Sequence, residues 1–237
     1  MKTSDLKIHI YADGADISEM KAAHKAGLVK GFTTNPTLMA KAGIKDYAAF
    51  AKQAMQAIPD LPISFEVFSD DFADMKRQAF MLADLGPNAN VKIPITNTKK
   101  ESSLPLIKEL LASGMKLNVT AIFTWEQIEG LHKIMSPNDD VIVSVFAGRI
   151  ADAGVDPEPI MRDTVKLYKD KPKAKVLWAS PREVLNVVQA DRCGCAIITC
   201  TQGILDKMTG LGKNLEQFSL ETVKMFYDDA RRSEFSL

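Results

Sequence analysis

Short β-rich runs recur along the whole chain: HIYAD (9–13), GFTTN (31–35), ISFEV (63–67), NVKIPI (90–95), KLNVTAI (116–122), VIVSVFAG (141–148), AKVLWAS (174–180) and CAIITCT (195–201). Between them the apolar residues take helical spacing in stretches rich in Ala, Lys, Glu, Met and Leu, as in DYAAFAKQAMQAI (46–58) and DDFADMKRQAFMLADL (70–85). Segments of strand character that alternate with segments of helical period predict βαβ units. Helices that return each strand parallel to the last build either an open doubly wound sheet or a closed barrel. Eight near-equal units in 237 residues favour closure, so the predicted fold is α/β, a (β/α)8 TIM barrel. No GxGxxG or GxxxxGKS/T motif follows a strand, which removes the usual support for a nucleotide-binding open sheet. No Pro/Gly/Ser-rich linker divides the chain, and residues 1–237 read as one domain. Residues 219–237, with LETVKMFYDDARRSEFSL, read as an extra amphipathic C-terminal helix and tail, placed to cap the barrel or to reach a neighbouring subunit.

Alternate residues of a barrel strand point to the surrounding helices and to the interior, so the apolar set should mark the outward face. In the fourth strand Val91, Ile93 and Ile95 form that set, which leaves Lys92 pointing inward. In the fifth, Leu117, Val119 and Ala121 face out while Asn118 and Thr120 face in; in the sixth, Val143, Val145 and Ala147 face out, with Ser144 and Phe146 inside. The same rule places Asp13, Thr33, Asn35, Glu66 and Ser180 at the inner carboxyl ends of the first, second, third and seventh strands. Barrel enzymes carry their active sites at that mouth. A confined polar group costs free energy unless satisfied, so the convergence predicts a site.

At 46% hydrophobic and 25% charged residues, the composition is that of a soluble globular protein with material for one large core. Thirty basic residues balance thirty acidic ones, so no net field draws the chain to nucleic acid or to an anionic membrane, and an anionic substrate must be caught locally. The N-terminal MKTSDLKIHIYAD lacks the apolar core of a signal peptide, and no run approaches the roughly 20 apolar residues of a membrane span, which gives the expectation of a cytoplasmic protein. Cys193, Cys195 and Cys200 are odd in number and crowded, against a disulfide framework. Cys195 and Cys200 are five apart in a predicted strand and so face opposite sides, with no histidine near; buried structural thiols are expected rather than a zinc site. His9, His24 and His132 are scattered and have no carboxylate or serine partner near in sequence, which leaves a serine-type triad little support. Asp139 and Asp140 read as a solvated turn.

Lys92 is the chemical centre of this pattern. Partial desolvation destabilises an ammonium relative to the amine, and the amine attacks a carbonyl to give an imine. The protonated imine is an electron sink, so an adjacent carbon–carbon bond breaks or forms without a metal; no cofactor is expected. A proton acceptor and donor for a sugar hydroxyl is also needed, and Asp13 and Glu66 are the inward carboxylates. Thr120 is a candidate proton relay; Asn35, Asn118 and Ser144 are candidates to hold hydroxyls; Arg149 and Arg182 are candidates to bind a phosphate. Each residue alone has a plainer role: a strand lysine that snorkels, Asp13 on loop amides, Glu66 as a partner of Lys92, Asn35 as a turn residue before Pro36, and arginines on the surface. The combination favours catalysis.

GFTTNPTLMAKAG (31–43), NVKIPIT (90–96), LNVTAIF (117–123), SVFAGRIADAG (144–154) and WASPREV (178–184) together resemble the successive signatures of the transaldolase family, in order, over about Ile10 to Thr201. The chain resembles the compact branch that also holds the fructose-6-phosphate aldolases. That resemblance implies Lys92 as the Schiff-base lysine, Asp13 as the acid/base, and Glu66 with Thr120 as the pair that assists carbinolamine chemistry through a water. It implies Thr33, Asn35, Asn118 and Ser144 around a dihydroxyacetone unit, and Arg149, Ser180 and Arg182 as a phosphate cradle. Glu66 and Phe146 are similar to transaldolases, where the aldolases typically have Gln and Tyr, so transfer between sugar phosphates is implied over release of free dihydroxyacetone. Val145 and Pro181 depart from the common pattern, and Pro181, between two cradle residues, leaves a sulfonate on a sulfo-sugar as an alternative anion. A barrel that binds sugar phosphates for regulation is the non-enzymatic alternative; the lysine and both carboxylates stand against it. Short members of the family imply a ring-built homo-oligomer, a pentamer or decamer, with the final helix at an interface.

Overall fold

The computed structural model describes residues 2–233. Eight strands run β1 (His9–Asp13), β2 (Phe32–Thr33), β3 (Ile63–Glu66), β4 (Ala89–Pro94), β5 (Leu117–Ile122), β6 (Val141–Val145), β7 (Lys175–Trp178) and β8 (Ile197–Cys200). The helices are α1 (Ile17–Ala26), α2 (Pro36–Lys41), α3 (Tyr47–Ala57), α4 (Phe72–Ala83), α5 (Leu104–Ala112), α6 (Trp125–Ile134), α7 (Ala147–Asp152), α8 (Glu158–Leu167), α9 (Leu185–Cys193), α10 (Gln202–Lys207) and α11 (Leu215–Arg232). Every strand pairs parallel with the next, and β8 pairs with β1, so the sheet is the closed eight-stranded barrel expected.

Two apolar layers follow from the alternation of side chains. Val91, Ile93, Leu117, Val119, Val143 and Val145 lie in the large core between strands and helices. A smaller cluster of Tyr11, Ile142, Leu177, Ala179 and Ile197 fills the barrel interior, with Phe146 packed against it. Full burial of one such Ile or Leu stabilises by about 1.5–3 kcal/mol, so each one-residue register slip is strongly opposed.

Local chemistry sets the ends of the helices that bear on the site. Asp16 accepts from the amides of Ser18 and Glu19 and starts α1, which ends at Gly27 with φ 71°. Asn35 accepts from the Leu38 amide and Pro36 occupies the first helical position, so β2 stops at Thr33 rather than running through Asn35. At the C-terminus Asn214 accepts from the Gln217 amide, and α11 therefore begins at Leu215, four residues before the expected start. The expectation for residues 234–237 lies outside the described residues. No residue of α11 is buried, and Leu215, Val223 and Phe226 are exposed at 79%, 61% and 64%. Among the described residues no helix is long and apolar enough to cross a membrane.

Alternation fails at two places. Ala121, expected to face outward, has φ 57°; the β5–β6 register shifts there, and Ile122 enters the outer core instead. In β7, Val176 and Trp178 belong to the outer core and Leu177 and Ala179 to the inner cluster, so strict alternation sends Ser180 outward, contrary to the sequence reading. A φ of 56° at Ser180 ends the strand and the alternation with it.

Candidate active site

Lys92 projects from the middle of β4 and is 7% exposed. Its Nζ lies 2.8 Å from Glu66 Oε2 and donates to the Thr34 carbonyl at 2.9 Å. Glu66 stands opposite Lys92 in the β3–β4 register, so the pair is set by strand pairing itself. The Tyr47 hydroxyl donates to the Glu66 carbonyl at 2.8 Å and packs its ring 5.5 Å from that of Phe68, which braces the end of β3.

Asp13 ends β1. Its Oδ1 accepts from the Thr33 hydroxyl at 2.7 Å, and the Asn35 amide reaches its Oδ2 at a long 3.5 Å. The Thr33 hydroxyl also touches that of Thr199 on β8. A hydroxyl has one hydrogen, and Thr33 gives its own to Asp13, so Thr199 is the donor in that second contact. Burial raises the Asp13 pKa above the ordinary carboxylate range; nearby Lys92 and the Thr33 and Asn35 hydrogen bonds oppose the rise, and Glu66 adds to it. A third group joins β3, β5 and β6: Ser144 Oγ donates to Asn118 Oδ1 at 2.6 Å, and Asn118 Nδ2 donates to Ser64 Oγ at 3.0 Å. Thr120 is buried on β5 opposite Pro94, and its side chain makes no hydrogen bond among the described residues.

The other end of the mouth is built by close backbone approach. A Cβ on Gly148 would sit 1.6 Å from the Ser180 carbonyl oxygen, so only glycine lets α7 meet the β7 turn. That contact brings the segment carrying Arg149 to the segment carrying Ser180 and Arg182. Gly148→Ala is expected to destabilise the fold by about 3 kcal/mol or more, read as a lowered melting temperature, because backbone must move; an unchanged melting temperature would contradict the contact. The Arg149 guanidinium lies 5.7 Å from the Phe146 ring centroid, and Phe146 packs 5.5 Å from Phe123. Arg149 has no carboxylate within ion-pair distance among the described residues, whereas Arg182 is held by both oxygens of Asp152.

A lysine against a carboxylate, with a hydrogen-bonded aspartate close enough to feel both charges, gathers at one mouth of the barrel. Residues 10–237 match the model of the transaldolase/fructose-6-phosphate aldolase family. The chain belongs to this family of enzymes. A probable transaldolase of Dehalococcoides mccartyi is 36% identical over 202 residues, 85% of this chain and 90% of its own length. One of Nitrosopumilus maritimus is 33% identical over 204 residues, covering 84% and 86%, and one of Bdellovibrio bacteriovorus is 31% identical over 225 residues, covering 94% and 98%. The family match runs past Thr201 and takes in α11, beyond the span the signature segments cover.

In this transaldolase-family barrel, strand pairing brings Asp13, Thr33, Asn35, Glu66, Lys92, Asn118 and Ser144 into hydrogen-bonded or ion-paired groups. It does not leave Arg182 unpartnered as a phosphate cradle would suggest, because Asp152 lies one helical turn beyond Arg149 and captures it. Three participants escaped the sequence reading: the Thr34 carbonyl, Ser64 and Thr199. Ser64 shares the inward face with Glu66, and Thr199 shares it with Ile197, so parity carried to the end of each strand would have found both.

The cysteines lie elsewhere. Cys193, Cys195 and Cys200 are all buried in the outer core, and Cys195 and Cys200 do not face opposite sides, because Cys195 precedes β8. Burial pushes Cys193 up to about 11 and Cys200 up to about 12, which leaves them as unreactive thiols. Among the described residues no three His, Cys, Asp or Glu side chains are grouped to hold a metal. His24 and His132 do have carboxylate partners, Asp60 and Asp170, but each lies 36 to 38 positions away and no serine joins them.

Proposed function

We propose that the protein is a transaldolase: Lys92 forms an imine with a ketose phosphate, and a dihydroxyacetone unit passes to an aldose phosphate. The observation that carries the reading is the Lys92 Nζ at 2.8 Å from Glu66 on a barrel of this family. Glu66 takes a proton from the Lys92 ammonium and so frees the amine. The amine adds to the ketose C2 carbonyl, and loss of water leaves a protonated imine. Asp13 then accepts the proton of the C4 hydroxyl; the C3–C4 bond breaks, its electrons enter the imine, and an aldose phosphate departs. The enamine left on Lys92 attacks an acceptor aldehyde, Asp13 returns the proton to the new hydroxyl, and water hydrolyses the resulting imine to release the product ketose and restore the Lys92 amine.

Asn118, Ser144, Thr33 and Asn35 hold the dihydroxyacetone hydroxyls in this reading, Thr120 relays a proton with Glu66, and Arg149, Ser180 and Arg182 take the anionic end. Phe146 packs against Phe123 and has no hydroxyl to orient a water, which favours transfer over hydrolysis. The test is turnover of fructose 6-phosphate with and without erythrose 4-phosphate. Sedoheptulose 7-phosphate and glyceraldehyde 3-phosphate are expected only with acceptor; free dihydroxyacetone at an equal rate without acceptor would make the protein an aldolase. Because Asp152 already partners Arg182, a singly charged sulfonate on a sulfo-sugar is the second reading of the donor, and comparing kcat/KM for the 6-phospho and 6-sulfo ketoses decides it.

Thr199 acts as a positioning residue. Its donation fixes the Thr33 hydroxyl, and Thr33 in turn lowers the Asp13 pKa. Thr199→Val is expected to cut kcat by about 3–10-fold with little change in KM and to move the acid limb of the pH–rate profile upward; Thr199→Ser restores both. A unchanged profile would reduce Thr199 to packing. The exposed apolar residues of α11 support a homo-oligomer in which a second copy covers that helix, and the three free, buried cysteines support a cytoplasmic setting. A monomeric mass in solution would remove the former.

A further inference from the structure

The opposite, amino-terminal mouth of the barrel also holds a cavity, of about 260 Å³. This end of a barrel is ordinarily closed by apolar packing. Here two polar side chains point into it from the inner faces of their strands: Tyr11, 4% exposed, two residues before Asp13, and Asn90, 6% exposed, two residues before Lys92. Neither makes a side-chain hydrogen bond among the described residues. Gly31 makes room for the Tyr11 ring, since a Cβ there would fall 2.5 Å from it. Neither polar group is sealed off without a partner, as Ser103 Oγ and Trp178 Nε1 are, so both open to the cavity and are free to bond to an occupant.

Charge at the rim is mixed, with Lys116 and Lys175 facing Asp140 and an Asp60 that is already paired with His24. Lys116 Nζ donates to the Pro87 carbonyl at 2.7 Å and has no carboxylate within ion-pair distance among the described residues. Lys175 reaches Asp140 only at 3.4 Å. The cavity is smaller than the roughly 300–1,000 Å³ of drug-sized sites, which limits an occupant to a few carbons. We propose that this mouth is a second ligand site, for a small hydroxylated anion whose carboxylate or phosphate is held by Lys116 and Lys175 and whose hydroxyls reach Tyr11 and Asn90. Asp140, beside Lys175, accepts from a further ligand hydroxyl. Burial, with Asp140 near, pushes Tyr11 up to about 12, so its phenol stays protonated and able to donate.

Titration calorimetry with glycerol 3-phosphate and with glycerate tests the site, because neither probe has a ketone or aldehyde to react with Lys92. At least one is expected to bind with an equivalent that survives Arg149→Ala, beyond any taken by the carboxyl-end cradle, and which one binds tells phosphate from carboxylate. Affinity should persist in Arg149→Ala, which removes a cation from the carboxyl-end mouth. It should fall roughly tenfold or more in Lys116→Gln and in the Tyr11→Phe, Asn90→Leu double variant. If the double variant does not fold, Lys116→Gln, at an exposed position, decides alone. Binding lost in Arg149→Ala and kept in Lys116→Gln, or no binding of either probe, would overturn the proposal.

Discussion

Lys92→Ala is expected to yield a protein that forms no covalent adduct when fructose 6-phosphate is trapped with borohydride, and whose turnover falls by roughly 10⁴-fold or more. Loss of a nucleophile removes the covalent route entirely, and its deletion costs on that scale where it has been measured in covalent enzymes. In the wild-type protein peptide mass spectrometry should place a three-carbon adduct on Lys92. The variant also strands Glu66, which is 19% exposed and loses the ammonium 2.8 Å away. Removing one member of a buried ion pair destabilises because the remaining charge is left uncompensated. A loss of activity could therefore be mistaken for a loss of fold. Lys92→Ala combined with Glu66→Gln separates the two: the double variant should regain melting temperature and still form no adduct. An adduct on another lysine, or full activity in Lys92→Ala, would remove the imine mechanism as placed here.

The barrel and much of the site were legible because two periods alternate along the chain. The period of two in NVKIPI puts Val91 and Ile93 into the outer core and Lys92 inside, and the structure repeats that division strand after strand. The same rule breaks where the backbone leaves the extended region. Ala121 and Ser180 both have positive φ, and neither is a glycine, so nothing in residue type announces the reversal. Pairings across long sequence distances were equally hidden. The Thr33–Thr199 contact spans 166 positions and depends on barrel closure through β8 and β1, while the capture of Arg182 by Asp152 spans 30 and depends on the pairing of β6 with β7; local spacing encodes neither. The start of α11 was a different kind of omission, since Asn214 is a good cap and stands in plain view before LEQF. Thr199 was missed for a chemical reason: a threonine in a β-rich run reads as strand propensity, and its hydroxyl acquires a role only once Thr33 and Asp13 are beside it.

Asp13→Asn should lose activity and gain stability, and the two effects have one cause. General acid–base catalysis contributes about 10²–10⁴-fold, and kcat should fall within that range. Imine formation at Lys92 needs no proton transfer by Asp13, so borohydride should now trap the whole ketose phosphate on Lys92 instead of the three-carbon unit. The stability effect follows from the raised pKa of Asp13, caused first by burial. Between the ordinary carboxylate range and that raised value, the folded protein holds the proton and the unfolded chain has released it. The folded state then binds more protons, so stability falls as pH rises through this window and the deficit is complete above the folded-state pKa. Asparagine does not titrate. Melting temperatures of the variant should therefore exceed those of the wild type at neutral pH, and the difference should shrink as pH is lowered through the window. Parallel curves, or a wild type that is the more stable at neutral pH, would mean that Lys92, Thr33 and Asn35 together outweigh burial at Asp13 and that its charge stabilises the fold. The expected result instead places Asp13 among groups kept at a cost to the fold, because a carboxylate that holds its proton more tightly than usual is the one that can take a hydroxyl proton during cleavage and return it during addition.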